Sequence, residues 1–233
     1  MQQSGMGVSD SSPGIMTNGK CEAPSTTLIS VEGNIGCGKS SMLAYLKEFR
    51  TVEVYPEPVE KWQNTGGANL LTQLYQDPKR WAYLFHSYVY VTATDILQQP
   101  LGNQKVNELI SSLSDYHIHQ FFPIRFCLLN FQRVKIIERS IDSNRFCFVE
   151  LSRKLGNLAA SEHLALDGLW QVAAKSAPTV DLIVYLRTDP EVSHARMAKR
   201  CRSEEDQVPL QYLQVSQWEL LIISNIIQLS RNK

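Results

Sequence analysis

Residues 33–40, Gly33-Asn34-Ile35-Gly36-Cys37-Gly38-Lys39-Ser40, follow directly on the apolar run Thr27-Leu28-Ile29-Ser30-Val31, and their reading decides the fold. They satisfy G-x-x-x-x-G-K-[ST], the spacing of a phosphate-binding loop set between a strand and a helix. The glycines permit left-handed backbone and turn successive N–H groups inward, which makes a concave nest for an anion. A helix opening near Lys39 adds the positive end of its dipole. In that setting Lys39 reaches the β- and γ-phosphates of a nucleoside triphosphate and the Ser40 hydroxyl ligates Mg²⁺. A buried-strand pattern precedes the motif, and Met42, Leu43, Leu46 and Phe49 recur at helical spacing after it. The alternative, a glycine-rich turn with an incidental lysine, leaves those flanks unexplained.

The chain has 233 residues, enough for one large domain or two small ones with a real core. Its 23 basic and 23 acidic residues cancel, which argues against a general nucleic-acid or membrane-surface binder. Attraction for phosphate must therefore be local. Cys21, Cys37, Cys127, Cys147 and Cys201 contain no C-x-x-C pair, which speaks against a disulfide framework or a zinc site and for a reducing compartment. No apolar run is long enough to span a bilayer; the richest, Phe121 to Phe131, is broken by Pro123 and Arg125. Residues 1–26 are rich in Ser, Gly, Thr and Pro and read as a disordered leader. With no Arg, and with Asp10 and Glu22, this leader differs from a mitochondrial presequence, so a cytoplasmic location is expected, with mitochondrial as the alternative.

Beyond the loop, Met42 to Phe49 reads as a helix and Val52 to Tyr55 as a short strand closed by Pro56-Glu57-Pro58. The two prolines fix the backbone around Glu57 at the carboxyl end of a strand, where ligands bind in open α/β sheets. A helical stretch covers Leu70 to Tyr75, and Asp77-Pro78 starts a long amphipathic helix reaching about Leu97. Val134 to Ile137 reads as a strand followed by Glu138-Arg139-Ser140. Asp181 to Leu186 is the clearest buried strand, and a basic helix with Arg196, Lys199, Arg200 and Arg202 comes after it. Strands alternating with helices predict an α/β fold, a parallel β-sheet flanked by α-helices.

Taken together and in order, five motifs resemble the deoxynucleoside kinase family: Glu32 to Ser41, Glu57 to Trp62, Glu138 to Ile141, Asp181 to Arg187, and Arg196 to Leu210. The resemblance covers roughly Thr27 to Leu97 and Arg133 to Gln214. It implies a P-loop kinase with an arginine-rich lid that transfers the ATP γ-phosphoryl group to the 5′-hydroxyl of a deoxynucleoside, with Mg²⁺. It also implies a homodimer. By resemblance, Gly33 to Ser41 (with Ser41 closing the loop) and the lid arginines Arg196, Arg200 and Arg202 bind ATP. Glu57 is the base, Arg139 holds the attacking oxygen, and Glu138 sits toward the metal beside Ser40, although Glu138 as proton acceptor stays open. Trp62 and Phe148 match the residues that sandwich the base, Tyr75 and Glu205 the pair that binds the sugar 3′-hydroxyl. His86 stands where the family usually has Gln. Asn144 and Ala93 fall at positions tied to base preference.

Two departures from the family pattern are expected to matter. Residues 98–132 read as an atypical insertion containing His117 and His119, and after Gln214 the pattern fades toward a shortened C-terminus. The domain is therefore read as residues 27–233 with both features. Three activities remain in view: an active deoxynucleoside kinase; a catalytically weak nucleotide-binding relative, or incomplete product, that dimerises with a complete one; and a nucleoside monophosphate kinase, against which the Glu57-Pro58-Val59 and Glu138-Arg139-Ser140 motifs speak.

Overall fold

The computed structural model describes residues 26–49, 52–100, 133–205, 208–217 and 219–220. Four strands, β1 (Thr26–Gly33), β2 (Val52–Tyr55), β3 (Arg133–Glu138) and β4 (Leu182–Leu186), form one sheet in the order β2-β3-β1-β4. All three pairings are parallel: Val31 faces Glu138 across β1–β3 and Val184 across β1–β4, and Tyr55 faces Ile137 across β2–β3. Parallel neighbours need crossover helices, so both faces of the sheet are covered.

Alternation along the strands divides the core. Val31, Ile136 and Leu43 of helix α1 (Lys39–Leu46) pack on one face. On the other, Leu28 and Ile137 meet Ala82, Tyr90 and Leu97 of helix α4 (Pro78–Gln98) and Leu166 and Ala173 of a second long helix, Ala160–Ser176. Helices α2 (Val59–Gln63) and α3 (Leu70–Gln76) bury Trp62, Leu70 and Leu71 against Phe85 in a separate cluster.

After β3, helix α5 spans 141–154. It begins α-helical at Ile141–Ser143, widens to a π-helix over Asn144–Val149 and returns to α at Glu150–Lys154. Helices α6 (Ala160–Ser176) and α7 (Pro190–Arg200) follow, and residues 210–217 are helical again. Helix α4 starts where Asp77 accepts from the Arg80 N–H at 3.3 Å. At its other end, the buried Lys135 ammonium donates to the carbonyls of Ile96, Leu97 and Gln99 at 2.7, 3.2 and 2.8 Å and lies 4.5 Å from the Tyr55 ring centroid.

Several boundaries differ from the sequence expectation. Helix α1 opens at Lys39, where the motif places it and where left-handed Gly38 (φ 104°) lets it start, but it ends at Leu46 rather than Phe49. Glu138 is the last residue of β3, not the first beyond it. The basic helix ends at Arg200, since Cys201 turns left-handed (φ 50°), so Arg202 lies past its end. Asp181 precedes β4, and its carboxylate accepts from the Leu28 N–H at 2.7 Å. Thr26, read as the last residue of the leader, opens β1, and Gln98, read as the first of the insertion, closes α4. The rest of the leader over 1–25, residues 101–132 of the insertion with His117 and His119, and the chain after Leu220 lie outside the described residues.

Candidate active site

The loops at the carboxyl ends of β1, β2, β3 and β4 gather at one edge of the sheet, where open α/β sheets bind ligands. Two glycines of the first loop have no alternative. Gly33 (φ 146°) and Gly36 (φ 73°) sit in positive-φ conformations, and a Cβ on Gly36 would stand 2.5 Å from the Ser193 carbonyl oxygen of α7. Lys39 is buried, and its Nζ donates to the Asn34 carbonyl at 2.9 Å and approaches Glu138 Oε1 at 3.9 Å. Burial, reinforced by the Arg139 charge, pushes the Lys39 ammonium below its usual range. The Asn34 side chain holds the loop in place. It donates to the Leu213 carbonyl at 2.7 Å and accepts from the Ile35 N–H and the Ser216 hydroxyl at 2.9 and 2.8 Å, tying the loop to helix 210–217.

Glu57, held between Pro56 and Pro58, meets Arg139 across the tips of β2 and β3: Arg139 Nε lies 2.8 Å from Glu57 Oε1. Glu138 Oε1 accepts from the Ser40 hydroxyl at 3.0 Å, and its Oε2 lies 3.4 Å from the Glu57 amide nitrogen. Burial raises the Glu57 carboxyl above its normal range, and the Arg139 and Lys39 charges only partly oppose this, although its side chain keeps 22% exposure. Burial works against the Arg139 charge, but the Glu57, Glu32 and Glu138 carboxylates outweigh it and hold that guanidinium firmly protonated. The Arg139 guanidinium also lies 4.6 Å from the Phe148 ring centroid.

A cavity of about 1370 Å³ joins this cluster to an aromatic pocket lined by Trp62, Tyr75, His86, Asn144, Phe148 and Ser152. That exceeds the roughly 300–1,000 Å³ of a single-ligand pocket and leaves room for two substrates. The Trp62 indole N–H donates to the Thr92 hydroxyl at 3.1 Å, fixing the ring at the pocket wall. The π-helical turn sets Asn144 and Phe148 on the cavity, in keeping with the frequent use of such turns at functional sites. His86 Nδ1 lies 3.0 Å from Asn144 Oδ1 and its Nε2 lies 3.0 Å from Ser152 Oγ. Ala93 also lines the cavity.

On the lid side, Arg196 Nη1 donates to the Cys37 carbonyl of the loop at 3.3 Å. Glu205 is buried and pairs with Arg200 and, at 3.4 Å, with Arg202, so its carboxylate is engaged by the lid arginines while Tyr75 lines the same cavity. Burial, with Glu205 adding, raises the Tyr75 phenol. The neighbouring Glu204 accepts from Gln63 and Asn69 at 2.8 and 3.0 Å and so docks the lid turn on α2 and α3.

Mg²⁺ fits the oxygen donors at the end of β3. It is commonly held by one or two carboxylates together with substrate phosphates. Glu138 and Ser40 offer that set, whereas no group of three or more His, Cys, Asp or Glu among the described residues forms a metal cage. Ser152 is absent from the sequence reading, and Glu32 and Ser140 stand in its motifs without a role of their own. An acid inside an apolar strand flags Glu32, whereas the two serines carry no signal of their own.

A family model described as deoxynucleoside kinase matches residues 29–217. The chain is 34% identical over 194 residues to "Thymidine kinase 2, mitochondrial" of Homo sapiens, an alignment that takes in 83% of this chain and 62% of that protein. It is 32% identical over 205 residues to "Deoxycytidine kinase 2" of Gallus gallus, covering 80% and 69%, and 30% identical over 204 residues to "Deoxyguanosine kinase, mitochondrial" of Xenopus laevis, covering 80% and 68%. The chain thus spans 62% of the length of the human thymidine kinase. A P-loop at the sheet edge, the Glu57–Arg139 pair opposite it and a match over most of the sequence converge: this chain belongs to the deoxynucleoside kinase family.

Proposed function

We propose that the chain is an ATP-dependent kinase that phosphorylates the 5′-hydroxyl of deoxynucleosides in nucleotide salvage. The observation that carries this reading is the 2.8 Å Glu57–Arg139 pair, set between the phosphate loop and the aromatic pocket of one cavity. Phosphoryl transfer asks mainly for positioning and charge stabilisation. The nucleoside base lies between Trp62 and Phe148, with Tyr75 and Glu205 toward the sugar. Glu57 accepts the 5′-hydroxyl proton as the new O–P bond forms and the bond to the β-phosphate oxygen breaks, releasing ADP. A carboxyl raised above its usual range is a stronger proton acceptor than an ordinary carboxylate. Arg139 orients Glu57 and the attacking oxygen. Lys39, the loop amides and Arg196, Arg200 and Arg202 meet the phosphate charge; Ser40 and Glu138 would hold Mg²⁺, which would supply charge neutralisation at the phosphates.

The reading is tested by ATP-dependent phosphorylation of thymidine, deoxycytidine, deoxyadenosine and deoxyguanosine, with Lys39→Ala as control. Turnover lost in the control supports it. Nucleoside binding without turnover favours the binding-protein alternative, and turnover on monophosphates alone favours the monophosphate kinase.

We also propose a homodimer. Leu84 and Val91 on α4 and Leu164, Leu169 and Val172 on α6 are exposed apolar side chains on two packed helices. Sedimentation at micromolar concentration checks it. A cytoplasmic location is proposed, and no described helix is long and apolar enough to cross a membrane. Cell fractionation separates this from the mitochondrial alternative.

A further inference from the structure

Glu32 is a carboxylate buried inside the sheet at the end of β1, on the same strand face as Leu28 and Ser30. A buried carboxylate is costly unless it is bonded, and here only one oxygen is, Oε2 having no hydrogen-bond partner among the described residues. Its Oε1 accepts from the Ser30 hydroxyl at 2.7 Å and from the Ser140 N–H at 2.8 Å. That second bond lies where β3 stops being a strand. The Arg139 N–H still follows the ladder, donating to the Val31 carbonyl at 3.1 Å. The next N–H, that of Ser140, no longer meets backbone; it meets Glu32. Between the two donors Arg139 takes φ 65°, a left-handed conformation that L-residues rarely hold. Such strain persists only where the surroundings over-determine it.

The strain has a consequence at the guanidinium. Arg139 Nη1 is buried with no hydrogen-bond partner among the described residues. Its aim therefore rests on the Nε contact with Glu57, the face of Phe148, the nearby Glu32 and Glu138 charges and the backbone that launches the side chain. The Ser140 hydroxyl in turn accepts from the Ser143 N–H at 3.2 Å and starts α5, the helix that carries Asn144 and Phe148. One carboxylate oxygen thus sits beneath both the arginine turn and the helix that forms the pocket wall.

We propose that Glu32 is a positioning residue that, through the Ser140 N–H, locks Arg139 in its left-handed conformation and so aims the guanidinium at Glu57. The inference rests on the kinase reading above for its kinetic consequence, and on the hydrogen bonds alone for its structural one. Misplacing a reacting group by about 1 Å costs on the order of a hundredfold in rate.

The test compares Glu32→Ala and Glu32→Gln in the full chain by steady-state kinetics and by hydrogen–deuterium exchange of the peptide covering 139–144. In Glu32→Ala, kcat should fall by about tenfold to a hundredfold while the KM for ATP stays within about twofold, because the loop amides are untouched. Exchange over 139–144 should quicken. Glu32→Gln should restore the protection, since its amide oxygen still accepts both bonds, and a rate above that of Glu32→Ala, the remaining deficit reporting the lost Glu32 charge beside Arg139. Wild-type kcat and exchange in Glu32→Ala would overturn the proposal. So would a KM for ATP that rises in step with the loss of kcat while protection falls through the phosphate loop as well, which is what general loosening would give. A wild-type chain that phosphorylates no deoxynucleoside sinks the kinase reading instead, and the exchange comparison then decides the role of Glu32 by itself.

Discussion

Glu57 and Arg139 stand on the tips of adjacent parallel strands and meet at 2.8 Å, while the Glu57 amide nitrogen lies 3.4 Å from Glu138 Oε2. Glu57 is thereby held at both ends, its carboxylate by Arg139 and its backbone next to the residue assigned to the metal. Glu57→Gln keeps the shape and removes the basic oxygen. Turnover should fall by roughly a hundredfold or more, in the range expected for a lost proton acceptor, with the nucleoside Kd changed little. Calorimetric titration and initial rates check the two halves separately, and wild-type turnover would refute the assigned base.

His86 predicts a pH effect on stability. Asn144 Oδ1 only accepts, so the proton of the neutral ring sits on Nδ1, and Nε2 accepts from the Ser152 hydroxyl. Burial pushes the imidazole from 6.5 down to about 4. Above pH 6.5 the ring is neutral folded and unfolded alike. As pH falls from 6.5 toward 4, the unfolded chain takes up a proton that the folded chain refuses, so stability declines, by up to about 3 kcal/mol. Thermal melts from pH 7 to pH 4.5 should show a steeper fall in Tm for the wild type than for His86→Gln. Parallel curves would show that the ring is not buried neutral.

Gly36 should tolerate no side chain. Gly36→Ala combines a φ of 73° with a Cβ 2.5 Å from the Ser193 carbonyl oxygen, which belongs to the helix carrying Arg196 and Arg200. The strand and α1 do not depend on that contact, so the fold should survive while the loop and lid helix move apart. The expected result is a KM for ATP raised by about tenfold or more at near-native secondary structure by circular dichroism. An unchanged KM would mean that the loop relaxes freely.

Much of this architecture is legible in the sequence, for a physical reason. The phosphate loop, Glu57 between two prolines and the Glu138-Arg139-Ser140 turn are local patterns whose backbone demands leave a mark on residue type. β1 and β4 carry apolar runs, as strands of a helix-covered parallel sheet do, whereas β2 and β3 interleave Glu53 and Lys135. What stayed hidden depends on distant partners. The π-helical turn at Asn144–Val149 has no composition of its own, and the long helix at Ala160–Ser176 was not singled out because it mixes apolar residues around its circumference. Asn34 reads as a phosphate-loop residue, yet its side chain is taken up by Leu213 and Ser216, some 180 positions away. Glu205 reads as a sugar ligand, and its bonds to Arg200 and Arg202 follow only from the way the lid turn docks.

Lys135 offers a last prediction, on stability rather than catalysis. Its ammonium is buried beneath the end of α4, donating to the carbonyls of Leu97, Gln99 and Ile96, the last of which also accepts from the Gln99 N–H, and resting on the Tyr55 ring. Lys135→Met retains most of the packing volume and removes every donor. Buried carbonyls left unpaired cost about 1–3 kcal/mol each when nothing replaces the bond, and local relaxation will recover part of that. The net loss should be about 2–4 kcal/mol, read as a lower urea midpoint at constant m-value. Because Lys135 touches neither the phosphate loop nor Glu57, kcat at 20 °C should remain close to that of the wild type. A midpoint that does not move would mean that the end of α4 frays at no cost, and that Tyr55 and Leu97 alone hold it to the sheet.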